Sequence, residues 1–115
     1  DMVVSGGVNI YPAEAEQLLI DHPDVADVGC IGVPHPEMGE MLVGLVMPAD
    51  PDSPPDPAAL STWLRDRLSH YKCPREYHVV DDLLRSTMGK INKRKLRNGW
   101  LAGEINELGP VSPTR

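Results

Sequence analysis

The residue best placed to do chemistry in this chain is Lys90, directly after Gly89 in RSTMGKINKRKLR, residues 85–97. The formal net charge is −6, yet this stretch holds six of the eleven Lys and Arg residues (Arg85, Lys90, Lys93, Arg94, Lys95, Arg97), and no Asp or Glu occurs from Leu83 to Gly103. Cations gathered in this way on an acidic chain point to an anionic ligand. Ser86, Thr87, Met88 and Gly89 read as a turn, because glycine tolerates backbone angles and close approaches that other residues do not. An ammonium presented just after such a turn can reach into a cleft. Asn92 is a candidate N-cap, and KRKLR then starts a short basic helix.

Two other readings compete. The phosphate loop of nucleotide-binding proteins also ends in Gly-Lys, but it needs a glycine five residues before the second Gly and a Ser or Thr after the Lys. Here those positions hold Leu84 and Ile91, which excludes it. The plainer reading is a basic run that forms a solvated face.

The elements that must position Lys90 can be read in chain order. Met2 to Val4 and Val8 to Tyr11 read as two short strands folded about Ser5-Gly6-Gly7. Pro12 suits the first turn of a helix through AEAEQLLI, with Ala15, Leu18 and Leu19 on one face and Glu14 and Glu16 early, where the helix dipole favours acids. His22-Pro23 is expected to stop it. Val25 to Val33 and Met41 to Pro48 are β-rich runs expected to pair antiparallel, with PHPEMGE (34–40) as their connecting loop. ADPDSPPDP (49–57) carries four of the twelve prolines and reads as an exposed linker inside the domain. Asp56-Pro57 starts a helix in which Leu60, Trp63, Leu64, Leu68 and Tyr71 recur at core spacing, ended by Lys72-Cys73-Pro74. Tyr77 to Val80 gives one more strand. A last helix begins near Asn92, with Asn98-Gly99 as a possible early stop. This order predicts an α+β domain, a small mixed β-sheet with flanking helices preceded by a two-stranded hairpin, over residues 1–103, with 104–115 as a flexible tail.

Composition sets bounds on function. At 115 residues the chain is one domain, and 41% hydrophobic with 24% charged residues is globular, not disordered. With no Phe, the core must be aliphatic. Cys30 and Cys73 are too few for a disulfide framework and lack metal-ligand spacing, which suits a reducing cytoplasm. No apolar run approaches the roughly 18 residues of a membrane span. The start at Asp1, with no initiator Met, reads as a piece of a longer polypeptide.

Three ordered stretches resemble the carboxy-terminal domain of the adenylate-forming (AMP-binding) superfamily, which includes acyl- and aryl-CoA synthetases, luciferases and peptide-synthetase adenylation domains. SGGVNIYPAEAE (5–16) resembles the family's glycine turn followed by Ile-x-Pro-x-Glu-x-Glu. CIGVPHPEMGE (30–40) resembles its Gly-x-Pro-Asp-x-x-x-Gly-Glu loop. LLRSTMGKINKRKLR (83–97) resembles Leu-Pro-x-Thr-x-Thr-Gly-Lys-Ile-x-Lys-Arg-x-Leu-Arg. Leu84 stands where the family usually has Pro, Met88 where it has Thr, Ser or Asn, and His35 where Asp is common; a differently hydrogen-bonded or less rigid loop is expected.

The resemblance implies a two-step ligase. A carboxylate attacks the α-phosphate of ATP to give an acyl-adenylate and pyrophosphate; a thiol, usually of coenzyme A, then displaces AMP. Lys90 is implied as the adenylation lysine, with Gly89 in its loop, and acetylation of Lys90 would remove its charge. The small domain is implied to rotate about a hinge just before Asp1, bringing Gly6 and Gly7 to the thiol's approach tunnel; an ordinary hairpin turn accounts for them equally. Glu16 either braces that glycine loop or is an ordinary first-turn acid. Arg85, Lys93 and Arg94 meet coenzyme A phosphates or acidic groups of the large domain, or are simply solvated. ATP and Mg2+ are implied to be bound mainly by the large domain, so the fragment alone is expected to be inactive.

HYKCP (70–74) resembles the Tyr-Lys-x-Pro of CoA synthetases, those acting on fatty and aryl acids, more than the Tyr-Met-x-Pro of peptide synthetases. A peptide-synthetase-type domain loading a carrier protein is the nearest alternative. A nucleic-acid-binding module fits poorly, because the chain is acidic and its basic cluster has no interleaved aromatic residue.

Overall fold

A computed structural model describes residues 1–109. The chain runs β1 (Val3–Ser5), β2 (Val8–Ile10), α1 (Pro12–Leu19), β3 (Val25–His35), β4 (Gly39–Pro48), α2 (Pro57–Arg65), a 3-10 turn (His70–Lys72), β5 (Glu76–Val79) and α3 (Lys93–Leu101). β4 is the centre of the sheet. It pairs antiparallel with β3 along its whole length, antiparallel with β1 at Ser5 and Gly39, and parallel with β5 from Val43 to Val46. The parallel pair needs a crossover, which α2 supplies. The sheet is therefore mixed, as expected.

β4 reads as a nearly unbroken apolar run because both its faces are covered. Leu42 and Val46 point into a core closed by Ala15 and Leu19 of α1 and Leu60 and Leu64 of α2. Val43 and Leu45 point the other way, into a second core closed by Leu96 of α3, Leu83 and Ile105. β3 alternates likewise, with Val28 and Cys30 on the first side and Ile31 and Val33 on the second. A register shift between Val25 and Asp27 returns Val25 to the first core, since one extra residue reverses the side on which a strand residue faces. α3 lies so close to β3 that a Cβ on Gly29 would sit 2.9 Å from Leu96 Cδ2.

Several local expectations change. The 34–40 connection is mostly strand: Pro34 and His35 extend β3, Gly39 and Glu40 open β4, and only three residues turn between them. The 49–57 segment is not wholly exposed, because Pro55 and Pro57 are buried and Asp56 caps α2 by accepting from the Ala58 amide at 3.0 Å. α2 stops at Arg65, well before Lys72, so Tyr71 falls outside its apolar face and is exposed. Trp63 packs half-buried against the core, with Arg67 over its ring at 4.0 Å. Asn98-Gly99 does not end α3; Gly99 is where Leu84 and Ile105 press against the helix. The tail expected from Glu104 is ordered through Gly109: Ile105 is buried and the Leu108 amide donates to the Val79 carbonyl at 2.7 Å. The remainder of that tail, 110–115, lies outside the described residues.

Candidate functional site

The Lys90 loop is closed by its own backbone. The Gly89 amide donates to the Ser86 carbonyl at 2.9 Å, and the Ser86 amide donates to the Lys90 carbonyl at 2.8 Å. Gly89 takes φ +82°, a left-handed conformation that a side chain would strain. Among the described residues, the contacts of Lys90 are all through its main chain, and its side chain is exposed. Asn92 caps α3 by accepting from the Lys95 amide at 3.1 Å, which fixes where the helix begins after the loop.

Arg85 is an anchor for this loop. Its guanidinium pairs with both carboxylate oxygens of Asp27 and donates to the Gly89 carbonyl. The Arg85 guanidinium holds the Asp27 carboxyl below its usual range, burial opposing it in part. As placed, Arg85 is occupied by the loop rather than free for a nucleotide phosphate. Asp27 gave no signal in the sequence, because its partner is 58 residues away.

Leu84 carries the one positive φ of a non-glycine residue among the described residues, +54°. Its amide donates to Asp82 Oδ1 at 3.0 Å. Proline, usual here in the resembled family, can neither take that φ nor make that bond. The departure is thus a differently hydrogen-bonded entry to the loop.

Gly6 and Gly7 take φ +59° and +79°, the pair of left-handed residues that a two-residue hairpin turn requires. The hairpin is braced by the β3–β4 turn and the start of β4: the Gly6 amide donates to the Met38 carbonyl at 2.9 Å, and the Val4 amide donates to Glu40 Oε1 at 3.1 Å. His35 shapes that segment, its Nδ1 accepting from the amides of Glu37 and Met38 at 3.1 Å each. Glu16 is not among the direct contacts of the Gly6-Gly7 turn. The Glu16 carboxylate instead accepts from the Cys30 amide at 2.8 Å and pairs with Lys93 at 2.7 Å, tying α1 to β3 and α3.

Lys93 is likewise committed. Its ammonium reaches Asp1 Oδ2 at 2.7 Å, Glu16 at 2.7 Å and the Cys30 carbonyl at 2.9 Å. Arg94 is exposed and, with Arg97, lines a small groove of about 280 Å3 beside Asp1, Gly32 and Glu40. A larger cleft of about 1050 Å3 lies between the hairpin and α2, bordered by Ser5, Met38, Ser61, Arg65 and Tyr77, on the hairpin side and away from Lys90. Burial pushes the Cys30 thiol upward, so it is an inert core residue. Among the described residues, no group of three His, Cys, Asp or Glu side chains is arranged to hold a metal ion, and no helix is long and apolar enough to cross a membrane.

The structure does not bring the two glycine loops together. Arg85 is anchored at Asp27, opposite Met47 of β4, whereas Gly6 is anchored at Met38, beside the start of β4 at Gly39. At about 3.3 Å per residue, these anchors are separated along β4 by roughly 26 Å.

Residues 14–90 match the family described as AMP-binding enzyme C-terminal domain. The chain belongs to that family. A 2-succinylbenzoate–CoA ligase of Bacillus licheniformis is 41% identical over 96 residues, covering 84% of this chain and 20% of the relative. A feruloyl-CoA synthase of an Amycolatopsis species is 45% identical over 97 residues, with the same coverage. The solved Mycobacterium tuberculosis fatty acyl CoA synthetase superposes with a TM-score of 0.82 at 33% identity, over 90% of this chain and 20% of that one. This AMP-binding C-terminal domain thus spans about a fifth of the length of the relatives it matches.

Proposed function

We propose that this chain, residues 1–103 foremost, is the mobile C-terminal lid domain of an AMP-forming acid–thiol ligase. ATP, with Mg2+, and a carboxylic acid are bound mainly by a larger N-terminal domain of the same polypeptide. Lys90 serves the first half-reaction. As carboxylate attacks the α-phosphate, two anions meet and charge builds on the transferring oxygens; an ammonium spanning both lowers the barrier. Gly89 lets the loop close so that the Lys90 side chain projects free of it. Gly6 and Gly7 serve the second half-reaction, where their lack of side chains leaves a passage for the pantetheine thiol of coenzyme A. Of Arg85, Lys93 and Arg94, only Arg94, exposed on α3, is left to meet coenzyme A phosphates or an acidic surface of the large domain. Arg85 acts by holding the loop.

The observation that carries this reading is the separation of the two loops at opposite ends of β4. A domain with both working parts on one side would need no rearrangement between the two half-reactions; one with them far apart must present each in turn. The test is carboxylate-dependent ATP–pyrophosphate exchange by the full polypeptide, wild type against Lys90→Ala, over fatty and aryl acids. Exchange that drops at least about a hundredfold, while preformed acyl-adenylate still reacts with coenzyme A, supports the reading. Unchanged exchange makes Lys90 part of a solvated face and overturns it. Substituting an acyl carrier protein for free coenzyme A in the second step identifies the acceptor.

A further inference from the structure

We infer that Lys93 is a positioning residue that fixes the Lys90 loop and the glycine hairpin to one rigid body, so that the two working ends of the domain move together. The inference rests on the proposed roles of Lys90 and the glycine hairpin.

Lys93 sits where a cation is locally unfavourable. It is the first residue of α3, whose first turn has no acidic residue and adds Arg94 and Lys95 beside it, and that turn carries the positive end of the helix dipole. A local rule broken in this way calls for a compensating gain elsewhere. The gain is visible in the contacts. The Lys93 ammonium donates hydrogen bonds to Asp1 Oδ2 and to the Cys30 carbonyl and pairs with Glu16 Oε2 at 2.7 Å, so its charge is met by three oxygens.

Those three acceptors belong to three different parts of the domain. Asp1 leads directly into β1 and hence into the Gly6-Gly7 turn. Glu16 lies on α1, which follows β2, and the same carboxylate oxygen that pairs with Lys93 also accepts from the Cys30 amide. Cys30 is in the middle of β3, opposite Gly44 of β4 and between the two anchored ends of the sheet. Lys93 itself follows Lys90 by three residues. One side chain therefore joins the residue that leads into the hairpin, the helix after it, the sheet centre and the base of the lysine loop.

Unlike Lys90, which projects free of the domain, Lys93 is spent on internal acceptors and contributes through geometry. Misplacing a reacting group by about 1 Å costs up to about a hundredfold in rate. Loss of the Lys93 contacts is expected to affect both half-reactions, because it loosens both ends; loss of Lys90 is expected to affect only the first.

The experiment uses the full polypeptide with four variants: Lys90→Ala, Lys93→Met, Lys93→Arg and Glu16→Gln. ATP–pyrophosphate exchange and thioester formation from preformed acyl-adenylate are measured separately, with amide hydrogen exchange on the same proteins. Lys93→Met keeps an unbranched apolar stem and removes the charge. It is expected to lower kcat about tenfold in both half-reactions with KM for ATP nearly unchanged, and to speed amide exchange at 86–90 and 5–8 but not in β4. Lys93→Arg is expected to recover most of both rates. Glu16→Gln, which retains an acceptor for Cys30, is expected to reproduce a weaker form of the same double loss. A loss confined to one half-reaction, no loss, or faster exchange throughout β4 overturns the inference. If Lys93→Met does not fold, the same criteria apply to Glu16→Gln. If Lys90→Ala leaves pyrophosphate exchange intact, the proposed function fails separately, and amide exchange still decides whether Lys93 couples the two ends.

Discussion

Arg85 clasps Asp27 through two hydrogen bonds, Nε to Oδ2 at 2.6 Å and Nη2 to Oδ1 at 2.7 Å. This two-pronged pair fastens the lysine loop near the start of β3, and the third guanidinium contact, to the Gly89 carbonyl, fastens the loop to itself. A lysine at 85 would keep the charge and lose the planar fork. Arg85→Lys is therefore expected to raise amide exchange at 86–90, with a stability loss of about 1 kcal/mol or less because the pair is partly solvated. Hydrogen exchange and urea unfolding check both parts.

The same pair sets an acid limit. The folded Asp27 carboxyl titrates below its ordinary value of 3.8, chiefly through its hydrogen bonds to Arg85. Its contribution is thus fully present above pH 3.8 and disappears as pH falls through the lower folded value. Asp27→Asn is expected to be less stable than the parent near neutral pH, with the difference closing below pH 3.8; unfolding curves across that range measure it.

Lys90→Ala is expected to leave stability within about 0.5 kcal/mol, since the side chain is exposed and only its main chain is hydrogen-bonded. Adenylation is expected to fall about a hundred- to a thousandfold. Thermal unfolding beside pyrophosphate exchange separates the two effects.

Leu84 takes φ +54°, and its amide donates to Asp82. A proline ring forbids that angle and removes that donor, so Leu84→Pro is expected to destabilise by about 2 kcal/mol or more. Leu84→Gly accepts the backbone but gives up the contact with Gly99, so its cost should be smaller. Urea midpoints of the two variants rank them. The reverse order would place Leu84 in an ordinary right-handed or extended conformation.

Gly6→Ala and Gly7→Ala are each expected to cost about 1 kcal/mol, the usual penalty for a side chain in a left-handed position. Gly6 adds a steric demand, since a Cβ there would lie 3.2 Å from Met38 Cε, whereas one on Gly7 meets nothing within 4 Å. Thioester formation should fall more than adenylation in both, measured as separate half-reactions.

What the sequence made legible were the features set by neighbours in the chain. The glycine hairpin, the Asp56 and Asn92 caps, Pro12 at a helix start and the apolar β3 and β4 runs all rest on local geometry or short-period patterns. The turn that holds Gly89 and Lys90 was legible for the same reason. What stayed hidden were side chains paired across the fold. Glu16 looks like any first-turn acid until β3 and α3 are laid against α1. Arg85 and Lys93 look like surface cations until Asp27 and the Cys30 carbonyl come within reach. Tyr71 kept the core spacing of α2 although the helix had ended at Arg65, because periodicity does not register where backbone hydrogen bonding stops. Ile105 was lost in a stretch whose two prolines and one glycine suggested fraying, while its own side chain closes the second core.

β4 also acts as a ruler. Each residue in it adds about 3.3 Å between the ends that hold the lysine and glycine loops, and successive residues alternate between two filled cores. Removing one residue would turn Leu42 and Val43 to the wrong sides; removing two would restore the sides but shorten the span by about 7 Å. Length variation should therefore be barred from residues 39–48 and admitted a few residues later, at Asp50 to Ser53, where the chain is exposed and spans nothing.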